Sequence, residues 1–125
     1  IAFGDSLSGG DEPAVLVRDL TGALMAWIEV GAPEAERIHR GSRAAERCAV
    51  YTHRDPEKVA ARWSGKRIHD AEHVRLVSFD DGFVDAIADA IARRTTMTLS
   101  RTEGVVYAEV NGVTVTSAVH ERFAT

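Results

Sequence analysis

The sequence lacks the cysteines needed for an internal cross-link and the long apolar segments needed for a membrane anchor. It contains a single cysteine, Cys48, so a disulfide bond within the chain is excluded. Its longest uninterrupted apolar run, residues 23–28, is far shorter than the ~20 residues that a helix needs to cross a bilayer. It also shows no basic segment followed by an apolar one, as in a signal peptide. These absences predict a protein without membrane contact, in a reducing cytoplasm.

An excess of positive charge is also missing. The formal net charge of the 125 residues is -4, which disfavours strong non-specific binding to nucleic acid and leaves only a local basic patch for that purpose. The length is that of a single domain, residues 1–125. Because the chain starts Ile-Ala-Phe without methionine, we expect it to be the remainder of a longer protein, incomplete at its N-terminus.

The pattern of apolar and turn-forming residues predicts alternating strands and helices. Two apolar segments around the Thr21-Gly22 turn indicate a hairpin, and Pro33 suits the first turn of a helix. Asp55-Pro56 and Asp80-Asp81 predict the starts of two further helices. The predicted strands are residues 14–18, 23–30, 49–52, 74–79, 97–99, 105–110 and 113–119, and the predicted helices are 33–47, 55–65 and 80–91. We therefore expect an α/β (α+β) fold, in which helices flank a mixed sheet and a C-terminal antiparallel meander follows.

The N-terminal block "GDSL" matches the nucleophile block of the GDSL esterases, with Ser6 as the nucleophile. A serine hydrolase also needs a histidine base, a group that orients it, and oxyanion donors. In place of that family's C-terminal Asp-x-x-His stands Ser117-Ala-Val-His120, and the only asparagine, Asn111, falls in a predicted turn. The serine hydrolase is therefore a remote alternative, and Ser6 is expected to be dispensable.

A longer resemblance covers nearly the whole chain. The segments "SLSGGDEPAVLVRDLTG", "LMAWIEVGAPEAERIHRGSRAAERCAVYTH", "RRTTMTLS" and "VYAEV" resemble the YaeQ family of bacterial proteins. Its specific points are residues 11–13, residues 27–31, and Pro33 with Arg37 and Ile38. The resemblance implies a variant of the PD-(D/E)XK, or restriction-endonuclease-like, core. It also implies a further strand and helix upstream of this chain.

The same resemblance implies a catalytic site for phosphodiester cleavage. Asp11 or Glu12 and, on the next strand, Glu29 stand at the acidic positions, with Asp11 and Glu29 as metal ligands. Mg²⁺ (or Mn²⁺) would activate water there and neutralise charge. The lysine of the family's helix is replaced by Arg40, which can stabilise an anion but cannot act as a base. The implied function is a metal-dependent nuclease; the alternative is an inactive relative that binds nucleic acid or a protein partner.

Without the resemblance, the residues of the candidate site allow more than one interpretation. Alternation places Glu29 with Trp27 on one face of its strand, where a carboxylate has a partner or a metal; the alternative is a glutamate at the strand end that reaches solvent. Two close carboxylates would repel each other, so we expect the metal-free Glu29→Gln variant to be at least as stable as the metal-free parent.

The arginines at 37, 40, 43 and 47 are predicted to share one helix, where they form either a phosphate-binding stripe or an ordinary solvated surface. His69 and His73 have the spacing of a helical zinc pair, but the predicted loop argues against one.

Overall fold

The computed structural model describes residues 1–3 and 12–125. The chain divides into a first unit, Ile1–Val77 with Glu121–Thr125, and a second unit, Ser78–His120. The predictions for Ser6 and Asp11 fall on residues 4–11, outside the described residues. Within the described residues, no helix is both long and apolar enough to cross a membrane.

The first unit is built on a mixed sheet. Its strands lie in the order β1 (Ala2–Phe3), β2 (Val15–Arg18), β3 (Leu24–Val30), β4 (Arg47–Tyr51) and β5 (Arg75–Phe79), the last of which ends in the second unit. The pairs β1–β2 and β2–β3 are antiparallel, whereas β3–β4 and β4–β5 are parallel. The predicted hairpin is confirmed. Its turn is fixed by the Asp19 carboxylate, which accepts hydrogen bonds from the Thr21 and Ala23 N–H groups at 2.9 and 3.0 Å.

Two helices bury one face of this sheet. Helix α1 (Ala35–Ala44) and helix α2 (Pro56–Trp63) pack on the face that carries Trp27 of β3 and Val50 of β4. The core of the unit is formed by Trp27, Ala35, Ile38, Cys48, Val50, Val59, Trp63, Val74 and Leu76. The start of α2 confirms the sequence prediction, because Asp55 is its N-cap and accepts a hydrogen bond from the Glu57 N–H at 3.0 Å.

The predicted end of the first helix was wrong. Helix α1 ends at Ala44, and Arg47 is the first residue of β4 rather than the last of the helix. The helical spacing of apolar residues that starts at Ile38 continues past the end of α1 as far as Cys48. Cys48, however, is a buried residue of strand β4. Residues 47–51 pair in register with residues 26–30 of β3, and these ladder hydrogen bonds outweigh the local helical pattern. The four arginines therefore do not share one helix.

The second unit is the predicted meander with its helix. Helix α3 (Phe83–Ala90) precedes β6 (Met97–Thr102), β7 (Val105–Val110) and β8 (Val113–Phe123), which pair antiparallel and of which β8 extends into the first unit. Glu103-Gly104 and Asn111-Gly112 have φ between 49° and 83°, as tight hairpin turns require. Phe83, Ala108 and Val110 form its buried cluster. The mixed α+β fold class and the antiparallel C-terminal strands are thus confirmed.

Candidate functional site

Glu29 is a buried carboxylate at the C-terminal end of β3. It is only 3% exposed and pairs in register with Val50 of β4, on the face that α1 and α2 cover. The Ala14 N–H donates a hydrogen bond to its Oε1 at 3.2 Å, and Arg37 Nε donates to its Oε2. The sequence prediction that this carboxylate needs a partner or a metal is answered by an arginine and a main-chain amide.

Arg37 connects this carboxylate to the segment before β2. It lies in the first turn of α1, and its side chain is 23% exposed. Besides contacting Glu29, its guanidinium donates from Nη2 to the main-chain carbonyl of Glu12. One arginine therefore links the end of β3, the start of α1 and the segment that leads into β2, and it holds the buried negative charge in place.

The other site residues that the resemblance implies do not all meet at Glu29. Glu12 is exposed and joins the site through its carbonyl oxygen. Arg40 is an exposed residue one turn further along α1, where it lines a groove of about 350 Å³ together with Glu34, Glu36 and Arg37. Asp11 lies outside the described residues. The structure thus brings Glu12 and Glu29 to the same arginine and leaves Arg40 on the neighbouring surface.

Sequence reasoning named Arg40 as the cation of the site and did not single out Arg37 for that role. No residue spacing in the sequence identified Arg37, because the choice of helical turn depends on the geometry of the loop between β3 and α1. That loop is short, residues 31–34, and Gly31 with a φ of 105° donates its N–H to the Tyr51 carbonyl at 2.9 Å. A tight return of this kind brings the first turn of the helix, rather than its second, back to the end of β3. The helical position closest to a buried acid at that end is therefore 37.

Cys48 lies on β4 beside this site. It is 5% exposed, and burial followed by the negative charge of Glu29 raises its pKa to about 12. A thiol in such surroundings stays protonated and behaves as a small apolar group, which excludes it as a nucleophile.

We expect Cys48 to resist thiol reagents in the native protein. A pKa of about 12 leaves roughly one thiol in 10,000 ionised at pH 8, and burial blocks the reagent as well. Labelling with a chromogenic disulfide at pH 8 should therefore be slow in buffer and should reach one thiol per chain within the mixing time in guanidinium chloride. Complete labelling of the native protein at the rate of the unfolded chain would contradict this placement.

In the second unit, His120 is paired with the carboxylate of Asp80, a residue forty positions earlier that the sequence analysis did not connect with it. His120 Nε2 lies 2.7 Å from Asp80 Oδ1, and the hydrogen bond lowers the pKa of Asp80 below its usual range. Ser117, three residues before His120, is buried and donates its hydroxyl to the Ala118 carbonyl at 2.7 Å. In the described residues this serine is thus bonded to the main chain, and the proposed nucleophile Ser6 is not among them.

The histidines at 69 and 73 do not act as a helical pair. Residues Ala71–His73 form a single 3-10 turn, and His73 Nδ1 lies 2.9 Å from Asp70 Oδ1. This contact raises the pKa of His73 and lowers that of Asp70. The main-chain N–H of His69 instead donates to His39 Nδ1 at 2.8 Å. The sequence prediction that these two histidines do not lie on one α-helix is therefore confirmed. A different group of side chains that could bind a metal, Asp70, Glu72 and His73, meets at this turn.

Comparison with known proteins gives consistent results. The crystal structure of the YaeQ protein from Xanthomonas axonopodis pv. citri matches with a TM-score of 0.82 and 24% identity, over 97% of this chain and 69% of that one. The YaeQ protein from Pseudomonas syringae matches with a TM-score of 0.77 and 24% identity, over 99% of this chain and 68% of that one. At this identity the two matches establish a shared fold. A search of curated proteins returned no match.

The comparison with protein families is more specific than the structural one. The family described as YaeQ protein matches residues 1–119, nearly the whole of the chain. It includes the strand that carries Glu29, the helix that carries Arg37, and the segment between them. On this evidence the chain belongs to the YaeQ family.

Proposed function

We propose that this domain is a metal-dependent phosphodiesterase that acts on nucleic acid. The observation that carries the proposal is the Glu29 carboxylate, which is 3% exposed at the end of β3 and is held beside a guanidinium. A buried acid next to a permanent cation suits a reaction in which an anionic phosphate must be bound and its developing charge stabilised. The PD-(D/E)XK core that the YaeQ resemblance implies would support the same reaction class.

The chemistry of Glu29 is compatible with a bound divalent cation. Each of its oxygens accepts one hydrogen bond from the protein and keeps a second lone pair. Mg²⁺ commonly takes one or two protein carboxylates and retains several waters. Glu29 would then be one ligand, with Asp11 or Glu12 as the other. When bound, such a cation activates water and neutralises charge on the phosphate.

The arginines of α1 have separate roles in this proposal. Arg37 orients Glu29 through its guanidinium, a group that serves as a hydrogen-bond donor and not as a base. Arg40, exposed beside it in the same groove, contacts the phosphate of the substrate. The net charge of -4 confines such contacts to a local surface, so we expect weak binding that is sensitive to salt.

One observation favours a second candidate, an inactive relative that binds nucleic acid or a protein partner. Ala14 and Arg37 already engage both oxygens of Glu29. The carboxylate is therefore compensated without a metal ion, and the pair has a structural reason to exist. Among the described residues, nothing favours the serine hydrolase.

Metal binding separates these candidates. If Mg²⁺ or Mn²⁺ binds the folded state, a hundredfold excess over its dissociation constant should stabilise the protein by about 2.7 kcal/mol. In a domain of this size, that corresponds to a rise of several degrees in melting temperature. Glu29→Gln should abolish the rise relative to its own metal-free melting temperature. Glu109→Gln, which removes an exposed acid on β7, should keep it.

Cleavage is measured with the same variants. Fluorescently labelled DNA and RNA oligonucleotides should be cut by the parent and by Glu109→Gln in the presence of Mn²⁺, and not by Glu29→Gln. If millimolar Mg²⁺ and Mn²⁺ leave the melting temperature of the parent unchanged and no oligonucleotide is cut, the catalytic proposal is wrong. The inactive relative would then be the better account.

A further inference from the structure

A second group of metal-ligating side chains lies in the first unit, at the turn between α2 and β5. Asp70, Glu72 and His73 each offer one ligand atom, and these atoms all lie within 4.8 Å of one another. Their side chains are 47%, 62% and 73% exposed. The group lies apart from the Glu29 pair in sequence and shares no residue with it, so it calls for its own explanation.

The spacing of these atoms suits a common metal ion. His73 Nδ1 lies 2.9 Å from Asp70 Oδ1 and 3.8 Å from Glu72 Oε1. Ligands about 2.1 Å from one metal are separated from each other by about 3.0–3.4 Å in octahedral and tetrahedral sites. The two separations from His73 Nδ1 lie on either side of that range, and all three side chains are exposed, so changes in their torsion angles could bring the ligand atoms to one metal ion.

The backbone that carries the ligands is well anchored. The His73 N–H donates to the Asp70 carbonyl at 2.8 Å, and the Val74 N–H donates to the Ala71 carbonyl at 3.2 Å. Just before the turn, the His69 carbonyl accepts a hydrogen bond from the Ser42 hydroxyl of α1 at 2.5 Å. Immediately after it, Val74 is in the core. The three ligands are therefore presented from a fixed frame, which lowers the entropy lost when a metal binds.

Space for further ligands is present beside the turn. Asp70 and His73 also line a cavity of about 600 Å³, together with Arg47, Tyr51 and Arg75. Three protein ligands with open positions are the arrangement of metal sites that keep water or another small ligand. The lining of this cavity carries both signs of charge, because it also includes Glu46 and because Arg75 is paired with Glu121, so water fits the open positions.

We propose that Asp70, Glu72 and His73 bind a divalent transition-metal ion of the zinc type. One imidazole nitrogen with two carboxylate oxygens suits Zn²⁺, Co²⁺ or Ni²⁺ better than Mg²⁺, which prefers oxygen ligands alone. The site has three protein ligands, and its remaining positions are filled by water.

The test is a calorimetric titration of the untagged protein with ZnCl₂ at pH 8, because protons compete less with the metal for its ligands at higher pH. We expect one Zn²⁺ per chain. His73→Gln should weaken binding by at least about tenfold, because even the loss of an outer hydrogen-bond partner costs that much at metal sites. Asp70→Asn should do the same without disturbing the fold, because Asn tolerates the left-handed conformation of this residue, with its φ of 54°.

Matched controls keep the result interpretable. His53→Gln and His69→Gln remove other exposed histidines and should leave Zn²⁺ binding unchanged. Circular dichroism and melting temperature verify that each variant is folded. The proposal is overturned if millimolar Zn²⁺ produces no saturable binding, if His73→Gln binds like the parent, or if His69→Gln loses binding as completely as His73→Gln.

Discussion

Replacing Glu29 by glutamine should destabilise the domain by about 3 kcal/mol, the low end of the range for breaking a buried ion pair. The parent carboxylate is almost inaccessible and accepts from Arg37 Nε. Glutamine can still accept the Ala14 N–H, but it leaves the guanidinium without its opposite charge, in a position that is 23% exposed. That partial exposure lets water compensate some of the loss. Urea unfolding followed by tryptophan fluorescence measures the change.

The partner variant tests whether the effect belongs to the pair. Arg37→Met removes the cation while retaining an unbranched side chain, and it should be destabilising because it leaves a buried carboxylate uncompensated. The double variant Glu29→Gln/Arg37→Met should recover part of the loss, so that the two single effects are not additive. Strictly additive losses, or a Glu29→Gln variant as stable as the parent, would contradict the assignment of this pair.

This expectation reverses the one drawn from sequence, and the reason is a contact between separate elements. The pattern of β3 correctly placed Glu29 on the buried face with Trp27, because alternation along a strand is a local property. It also led to the idea of two repelling carboxylates. The compensating charge comes from the first turn of α1, and which turn of a helix returns to a strand end depends on the geometry of the connecting loop. Residue spacing alone does not specify that geometry.

The helices and strands also show that features set by consecutive residues were predicted correctly, whereas features set by distant contacts were not. The Asp55 cap and the Asn111-Gly112 turn are confirmed because each depends on a few consecutive residues. The boundary between α1 and β4 was wrong because Arg47 and Cys48 continue a helical pattern, while their actual partners, Ala26 and Trp27, lie about twenty residues earlier in the chain. The close approach of Gly41 to Trp27, where an added Cβ would clash with the indole, likewise depends on two separate elements and does not follow from consecutive residues.

Replacing Gly41 by leucine should destabilise the domain by about 3 kcal/mol, the upper end of the usual range for overpacking a core. Gly41 is buried in α1, and a Cβ at this position would lie 2.5 Å from Trp27 Cδ1 and 2.6 Å from its Nε1. The indole is a rigid group that is only 7% exposed, so it cannot move aside cheaply. Gly41→Ala should have a smaller effect, because about 1 kcal/mol of helix propensity offsets the clash.

The background variant Trp27→Ala isolates the cause. Truncating this side chain at Cβ removes Cγ, Cδ1 and Nε1, which are the three atoms that a Cβ at position 41 would meet at 2.5–2.7 Å. In that background Gly41→Ala should cost less than in the parent or should become stabilising, because the propensity gain remains while the clash is relieved. Thermal and urea unfolding of the four proteins give the coupling free energy. If Gly41→Ala has the same effect in both backgrounds, the close approach of helix α1 to Trp27 is not what requires glycine at this position.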